Sequence, residues 1–472
     1  MKNLIFIICF TICFTLMSQA TRWQVGSSQI YTVPSQVSTL VQDGDTVDID
    51  SGTYASDVCN WQANNLLLRG IGGYATLESN GFSWGDKAIW VIQGNNTKVE
   101  WIEFTECTST SQNGAGIRQE GLNLTVRYCY FHHNEDGILA GEFHPSTILI
   151  EFCEFAYNGF GTGYSHNVYI GNIDTLTFRY NYSHHSYIGH ELKSRAYFNY
   201  ILYNRISNEA TGNASREIDL PNGGTSIILG NVIQQGPNSQ NSNLIGFGLE
   251  GLSNLVPHEL YVVNNTFINE RPTGVFVDVR NGMNLLKVYN NIFAGPGTLL
   301  TGTSTITDTA GNEVYSTIGW AEFVDNINFD YHLLSSSSAI NSGVYIGNTS
   351  NGFSLFPAEE YLHPVGSTVR INQANIDAGA YEYQNVSEIN DVESQVIMHS
   401  AFEKNTLTIH STKKMKSICL TDVLGKIIIR QNLNATDFSK YLPSLKNEIY
   451  FLKIDLWESG KHILLKMLNQ EN

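Results

Sequence analysis

Eight short segments, WIEF, YCYF, FCEF, YNYS, YNRI, GNVI, NNTF and NNIF, fall into one register. The aligned residues are Ile102, Cys129, Cys153, Asn181, Asn204, Asn231, Asn265 and Asn291, at intervals of 27, 24, 28, 23, 27, 34 and 26. A chain that repeats at this period stacks one small unit on the next, and a period in the twenties fits one coil of a parallel β-solenoid with two or three strands per coil. Asn suits the bends of such a coil because it tolerates left-handed backbone angles and its amide can bond to the coils above and below. Cys129 and Cys153 share the slot one coil apart, about 4.8 Å in strand spacing, and are expected as two buried, stacked thiols rather than a disulfide.

Residues 1–20 combine Lys2, an apolar run from Leu4 to Met17 and the small pair Ser18 and Ala20 around Gln19. This is the pattern of a secretory signal peptide, and no other stretch is long and apolar enough to span a bilayer. Beyond it five cysteines remain, too few for a disulfide scaffold. The formal charge of −17 argues against nucleic acid as a partner. That charge is unevenly placed: residues 21–386 hold 15 Lys+Arg against 34 Asp+Glu, whereas 387–472 hold 11 against 10. Four of the 15 cations, Lys193, Arg195, Arg205 and Arg216, fall within 24 residues.

Three consecutive coils align by their inward apolar positions, Val168/Ile170, Leu192/Ser194 and Ile218/Leu220. Strand alternation then turns the neighbours outward. One outward column is expected to hold Asn167, Glu191 and Glu217, and the next Tyr169, Lys193 and Asp219. His166, His190 and Arg216 precede these strands, Arg195 follows the second, Asn222 follows the third, and FGLEG brings Glu250 to the same edge. If the face is functional, Tyr169, Lys193 and the Glu217/Asp219 pair should open into one groove. As a purely structural feature it would be an ion-pair ladder, worth about 0–1 kcal/mol per exposed pair.

Residues 28–55, with GDTVDIDSGTY, and residues 337–382, with SSAINSG and NIDAGAYEY, resemble the opening and closing segments of secreted right-handed β-helix proteins. The resemblance implies an all-β, right-handed, single-stranded parallel β-helix of the pectate-lyase-like type over 21–385. A linker follows at 386–393, then a small β-sandwich at 394–472, whose LTDVLGKII and LPSLKNEIYFLKI resemble the sorting domain of type IX secretion cargo. It implies type IX secretion machinery as a partner and a secreted or cell-surface location for a monomeric chain.

The run HELKSRAYFNYILYNRI, followed by EIDLPNGG, resembles β-helix lyases of the alginate lyase and chondroitinase B type. Those enzymes cleave uronate-containing polysaccharides by β-elimination. The resemblance implies Lys193 as base; the chemistry of β-elimination also needs a neutraliser of the substrate carboxylate, expected as Ca²⁺ or else Arg195, Arg216 or His190. Tyr169 or a histidine such as His166 would protonate the leaving oxygen. Asn167, Asn222 and Glu250 would contact substrate, and Glu191, Glu217 and Asp219 could hold Ca²⁺, a hard cation that favours oxygen ligands. Where such lyases carry an arginine in a Leu-x-x-Arg-x-Gly setting, this chain reads Ile218-Asp219-Leu220-Pro221-Asn222-Gly223, with Arg216 nearby. Competing expectations are a glycoside hydrolase using paired carboxylates, a uronate C5 epimerase and a non-catalytic glycan-binding solenoid.

Overall fold

The computed structural model describes residues 20–372, 375–384, 398–403, 406–422, 427–442, 449–456 and 462–468. The signal segment 1–19 and the linker 386–393 lie outside the described residues. The chain divides into two compact units, 1–383 and 384–472. Among the described residues no helix is long and apolar enough to cross a membrane.

In the first unit the coils contribute three strands each through the region that matters here. One coil runs through Val168–Ile170, Thr175–Arg179 and Tyr182–His184, and the next through Leu192–Ser194, Phe198–Leu202 and Arg205–Ser207. Equivalent strands pair in parallel, Tyr169 with Lys193, Thr177 with Tyr200 and Ser183 with Ile206. Parallel neighbours need a long crossover, and here the remainder of each coil supplies it. The first strands of successive coils form a ten-stranded parallel sheet from Cys59–Trp61 to Thr298–Thr301. The other strands join in a twenty-one-stranded sheet. The architecture is an all-β, right-handed parallel β-helix, with a small antiparallel β unit after it.

Side chains fill the coil in vertical stacks. Ile117, Ile138, Val168, Leu192, Ile218, Ile245 and Val277 line the inner face of the ten-stranded sheet, all buried. Phe104, Phe131 and Phe155 stack face to face at 4.8 and 4.9 Å. The next position in that column is Ser183, so the aromatic filling gives way to polar groups at the coil of the candidate site.

The Asn slot identified from the repeat is a buried hydrogen-bond ladder. Asn231 Oδ1 accepts from the Asn204 backbone N–H at 2.9 Å, and its Nδ2 donates to the Ile201 carbonyl at 2.9 Å and to Asn265 Oδ1 at 2.9 Å. The pattern repeats at Asn181, Asn204, Asn265 and Asn291 and extends to Asn312. Cys129 and Cys153 continue the slot as free, buried thiols, the Cys129 N–H lying 3.4 Å from Cys153 Sγ. The preceding residue is left-handed in every coil, with φ of 59° at Trp101, 53° at Tyr128, 56° at Phe152 and 59° at Tyr180. That conformation costs a non-glycine residue about 1–2 kcal/mol. Ring stacking offsets it, at 4.8 Å for Trp101–Tyr128, 5.1 Å for Tyr128–Phe152 and 4.9 Å for Phe152–Tyr180.

The second unit is a five-stranded antiparallel sheet in which the long strand Thr406–Asp422 pairs with three neighbours. Register shifts between His410 and Met415 let this one strand serve both halves of the sheet. Leu407, Ile409, Met415, Ile418, Leu420, Leu452 and Ile454 form its buried core.

Removing a ladder amide strands a backbone N–H and a carbonyl in the interior, at about 1–3 kcal/mol each. Asn231→Ala is therefore expected to lower unfolding stability by about 3 kcal/mol. The exposed Asn96, whose side chain bonds to the side chains of Asn65 and Asn123, should lose under about 1 kcal/mol on the same change. Urea unfolding of the two variants beside the parent checks this.

Candidate functional site

Pairing in the ten-stranded sheet sets Tyr169, Lys193 and Asp219 side by side on consecutive coils. Their flanking residues Val168, Ile170, Leu192, Ser194, Ile218 and Leu220 are buried inside the coil, so this column faces out. Gly246 and Asp278 continue it. One edge carries His166, His190 and Arg216, and the other Arg195 and Asn222. The structure thus brings nine of the expected residues onto one face, Glu250 arriving from a loop two coils further on.

Asn167, Glu191 and Glu217 depart from the expectation. The chain bends just before each three-residue strand, so outward alternation does not extend back to them and all three point into the interior, fully buried. Asn167 Nδ2 donates to the Phe155 and His184 carbonyls and to Glu191 Oε2. Glu191 accepts from the Ser186 N–H at 2.9 Å and from Ser183 Oγ at 3.1 Å, and Glu217 accepts from Asn208 Nδ2 at 2.9 Å. Burial raises the Glu191 carboxyl to about 8, against the pull of these donors, and lifts Glu217 well above the carboxylate range. Burial thus disfavours the charged form of both carboxyls. Asn167 therefore does not reach a substrate, and Glu191 and Glu217 do not join Asp219 in a calcium cradle. Among the described residues no three His, Cys, Asp or Glu side chains converge on one point. This donor set does not fit Ca²⁺.

The remaining groups form one charged network. Asp219, 1% exposed, lies 3.4 Å from Lys193 Nζ, 3.5 Å from His190 Nε2 and 3.1 Å from Arg216. Burial raises its carboxyl, and Arg216 and Lys193 oppose that rise. Lys193 Nζ also donates to Glu250 Oε1 at 2.7 Å, and Arg195 to Glu250 Oε2 at 2.6 Å. Arg195 bonds in addition to Asn222 Oδ1 at 2.6 Å and to Tyr169 Oη at 2.8 Å. Because Tyr169 Oη accepts from Arg195, its own proton remains available to another acceptor. Tyr169, Lys193 and the Glu217/Asp219 pair do not open together as expected: Glu217 is interior, Asp219 is 1% exposed, and Lys193, contacted by Glu250 of the loop at 248–258, is 11% exposed.

His166 and His190 stack at 4.9 Å, nearly parallel, with Tyr169 stacked on His166 at 5.6 Å. Burial, then Lys193 and Arg195, lowers His166 to about 3, and burial with His166, Lys193 and Arg216 takes His190 well below its usual range. Both are neutral at working pH, so His190 does not supply the positive charge expected of a neutraliser. His166 Nδ1 accepts from the His190 backbone N–H at 2.9 Å, which places the His166 proton on Nε2.

Three residues escaped the sequence reading. Asn243 accepts from Arg216 at 2.7 Å and donates to Asp278 at 2.8 Å, and Thr301 holds the other Asp278 oxygen at 2.6 Å. Carrying the coil alignment one interval of 27 beyond Arg216 reaches Asn243, so the signal was present.

A family model described as "Right handed beta helix region" matches residues 18–181. A mab-21-like protein from Anopheles gambiae is 26% identical over 151 residues, 30% of this chain and 41% of that protein. The chain thus spans less than half the length of this curated relative. Among solved structures, a pectin methylesterase mutant in complex with a hexasaccharide is similar at 12% identity and a TM-score of 0.32, over 46% of this chain and 81% of that one. The pectin methylesterase from Aspergillus niger matches at 12% identity and a TM-score of 0.28, over 69% and 94%.

A carboxyl whose folded pKa is raised stabilises the fold fully below its unfolded pKa, and that stability is lost as pH rises through the folded value. For Glu191 the window runs from its ordinary 4.5 to about 8. Glu191→Gln should flatten part of the decline in stability across this window. Unfolding midpoints at both ends check it, and parallel curves for parent and variant would contradict the assignment.

Proposed function

We propose that this chain is an exported enzyme that cleaves an acidic, uronate-containing polysaccharide by β-elimination. The observation that carries the reading is the column Tyr169, Lys193, Asp219 flanked by Arg195 and Arg216. A tyrosine hydroxyl, an amine and guanidinium groups share one outward face of a body whose charge is otherwise strongly acidic. A column that runs from coil to coil along the sheet suits an extended polymer better than a compact metabolite.

In this reading Arg195 and Arg216 neutralise the uronate carboxylate, which acidifies the C5 proton. Lys193 takes that proton on its amine nitrogen. The C5–H electrons form the C4–C5 double bond, the C4–O bond breaks, and Tyr169 protonates the departing oxygen. Asp219 orients Lys193 and Arg216 from beneath. The leader-like 1–20 and the C-terminal unit, whose sequence resembles type IX sorting domains, support export and delivery by that machinery.

Incubation with a panel of acidic polysaccharides is expected to yield the ultraviolet absorbance of an unsaturated uronate, and Lys193→Met to lower that rate about a hundredfold or more. New reducing ends without that absorbance would assign the site to hydrolysis instead. Full activity of Lys193→Met would remove it as the base.

A further inference from the structure

Lys193 and Arg195 converge on a single carboxylate that belongs to the protein. Glu250 gives one oxygen to each, at 2.7 and 2.6 Å, while Asn222 braces Arg195 at 2.6 Å. Lys193 lies in the strand Leu192–Ser194 and Arg195 directly follows it, and their side chains are 11% and 19% exposed. Glu250 stands on a loop and is 47% exposed. Burial alone would raise its carboxyl, yet Lys193 and Arg195 outweigh that and hold it below its ordinary range.

The loop is fixed at both ends of this contact. The Gly248 and Glu250 N–H groups donate to the Leu220 and Pro221 carbonyls at 2.8 and 3.2 Å. Asn254 Nδ2 donates to the Ala196 and Gly223 carbonyls at 3.1 and 2.9 Å, its Oδ1 accepts from Asn172 at 2.9 Å, and Tyr197 Oη donates to the Val256 carbonyl at 3.1 Å. Rotation about the Glu250 side chain's own bonds therefore empties the cradle without moving the backbone.

We propose that Arg195, braced by Asn222, forms a carboxylate subsite for a uronate residue, and that Glu250 occupies it in the resting protein as an internal stand-in for the substrate's carboxylate. This rests on the reading of the face as a uronate site. An acidic sugar enters by exchanging its carboxylate for that of Glu250, so the two compete for the same donors and a neutral sugar has nothing to exchange. Displacement also takes from Lys193 the carboxylate nearest to it, as it must to act as a base.

The test measures binding of galacturonate, glucuronate and mannuronate monosaccharides by NMR titration, with their methyl esters as uncharged controls. Monosaccharides contain no bond to cleave, so binding is read apart from turnover. Glu250→Ala and Glu250→Gln should each bind at least one free uronate about tenfold more tightly than the parent, because the self-occupied fraction is removed. The esters should bind equally to all three proteins. Thermal melting checks that each variant folds, and the Gln variant decides if the Ala variant does not. Weaker or unchanged uronate binding in the folded variants, or an equal gain for the esters, would overturn the proposal. Tighter uronate binding with no unsaturated product from any polymer would retain the subsite and discard the elimination.

Discussion

One interaction sets the geometry of everything else: the side-chain amide that accepts the backbone N–H of one coil and donates to a neighbouring carbonyl. From Asn181 to Asn312 each coil is bonded to the next through this slot. The bond satisfies buried backbone groups at a bend where no strand can, and it fixes the stagger between coils. Because side-chain direction in a strand has a period of two, a slip of one residue would turn every outward group inward. The column of Tyr169, Lys193 and Asp219 exists because that slip is prevented.

Around the candidate site the interior changes character. The stack of Phe104, Phe131 and Phe155 yields to Ser183, and Asn167, Glu191 and Glu217 fill the space with hydrogen-bonded groups. Burial disfavours charge on the two glutamates, while the cations outside pair with Asp219 and Glu250. A buried carboxylate held by Lys193 and Arg216 gives the outer face a rigid floor, while the half-exposed Glu250 is the adaptable member. The body's acidity and its cationic notch are compatible, since the former shapes the distant field and the latter acts within a few ångströms.

The repeat made the fold legible, because the Asn register encodes the bend that every coil shares. The outward column was legible too, since it needed only strand alternation between Val168 and Ile170, Leu192 and Ser194, and Ile218 and Leu220. Alternation failed one step earlier, at Asn167, Glu191 and Glu217, where the backbone leaves the strand and a polar side chain can turn inward to satisfy its neighbours. The same inward turn separates Glu191 and Glu217 from Asp219, so the three carboxyls expected as one cradle do not meet. The neutral state of His190 follows from its burial against His166 and the nearby cations, and neither is visible in a list of residues. The reach of Glu250 back to Lys193 and Arg195, two coils away, depends on the path of the loop at 248–258, which no periodicity describes.

The most direct measurement is a crystal structure of the chain with an acidic oligosaccharide bound. The account predicts a uronate carboxylate on Arg195 in the place of Glu250, the Glu250 side chain rotated away, Lys193 facing the sugar ring, and Tyr169 within hydrogen-bond reach of a glycosidic oxygen. An oligosaccharide seated elsewhere on the solenoid, or one lying over an unmoved Glu250 with its carboxylates in solvent, would contradict it.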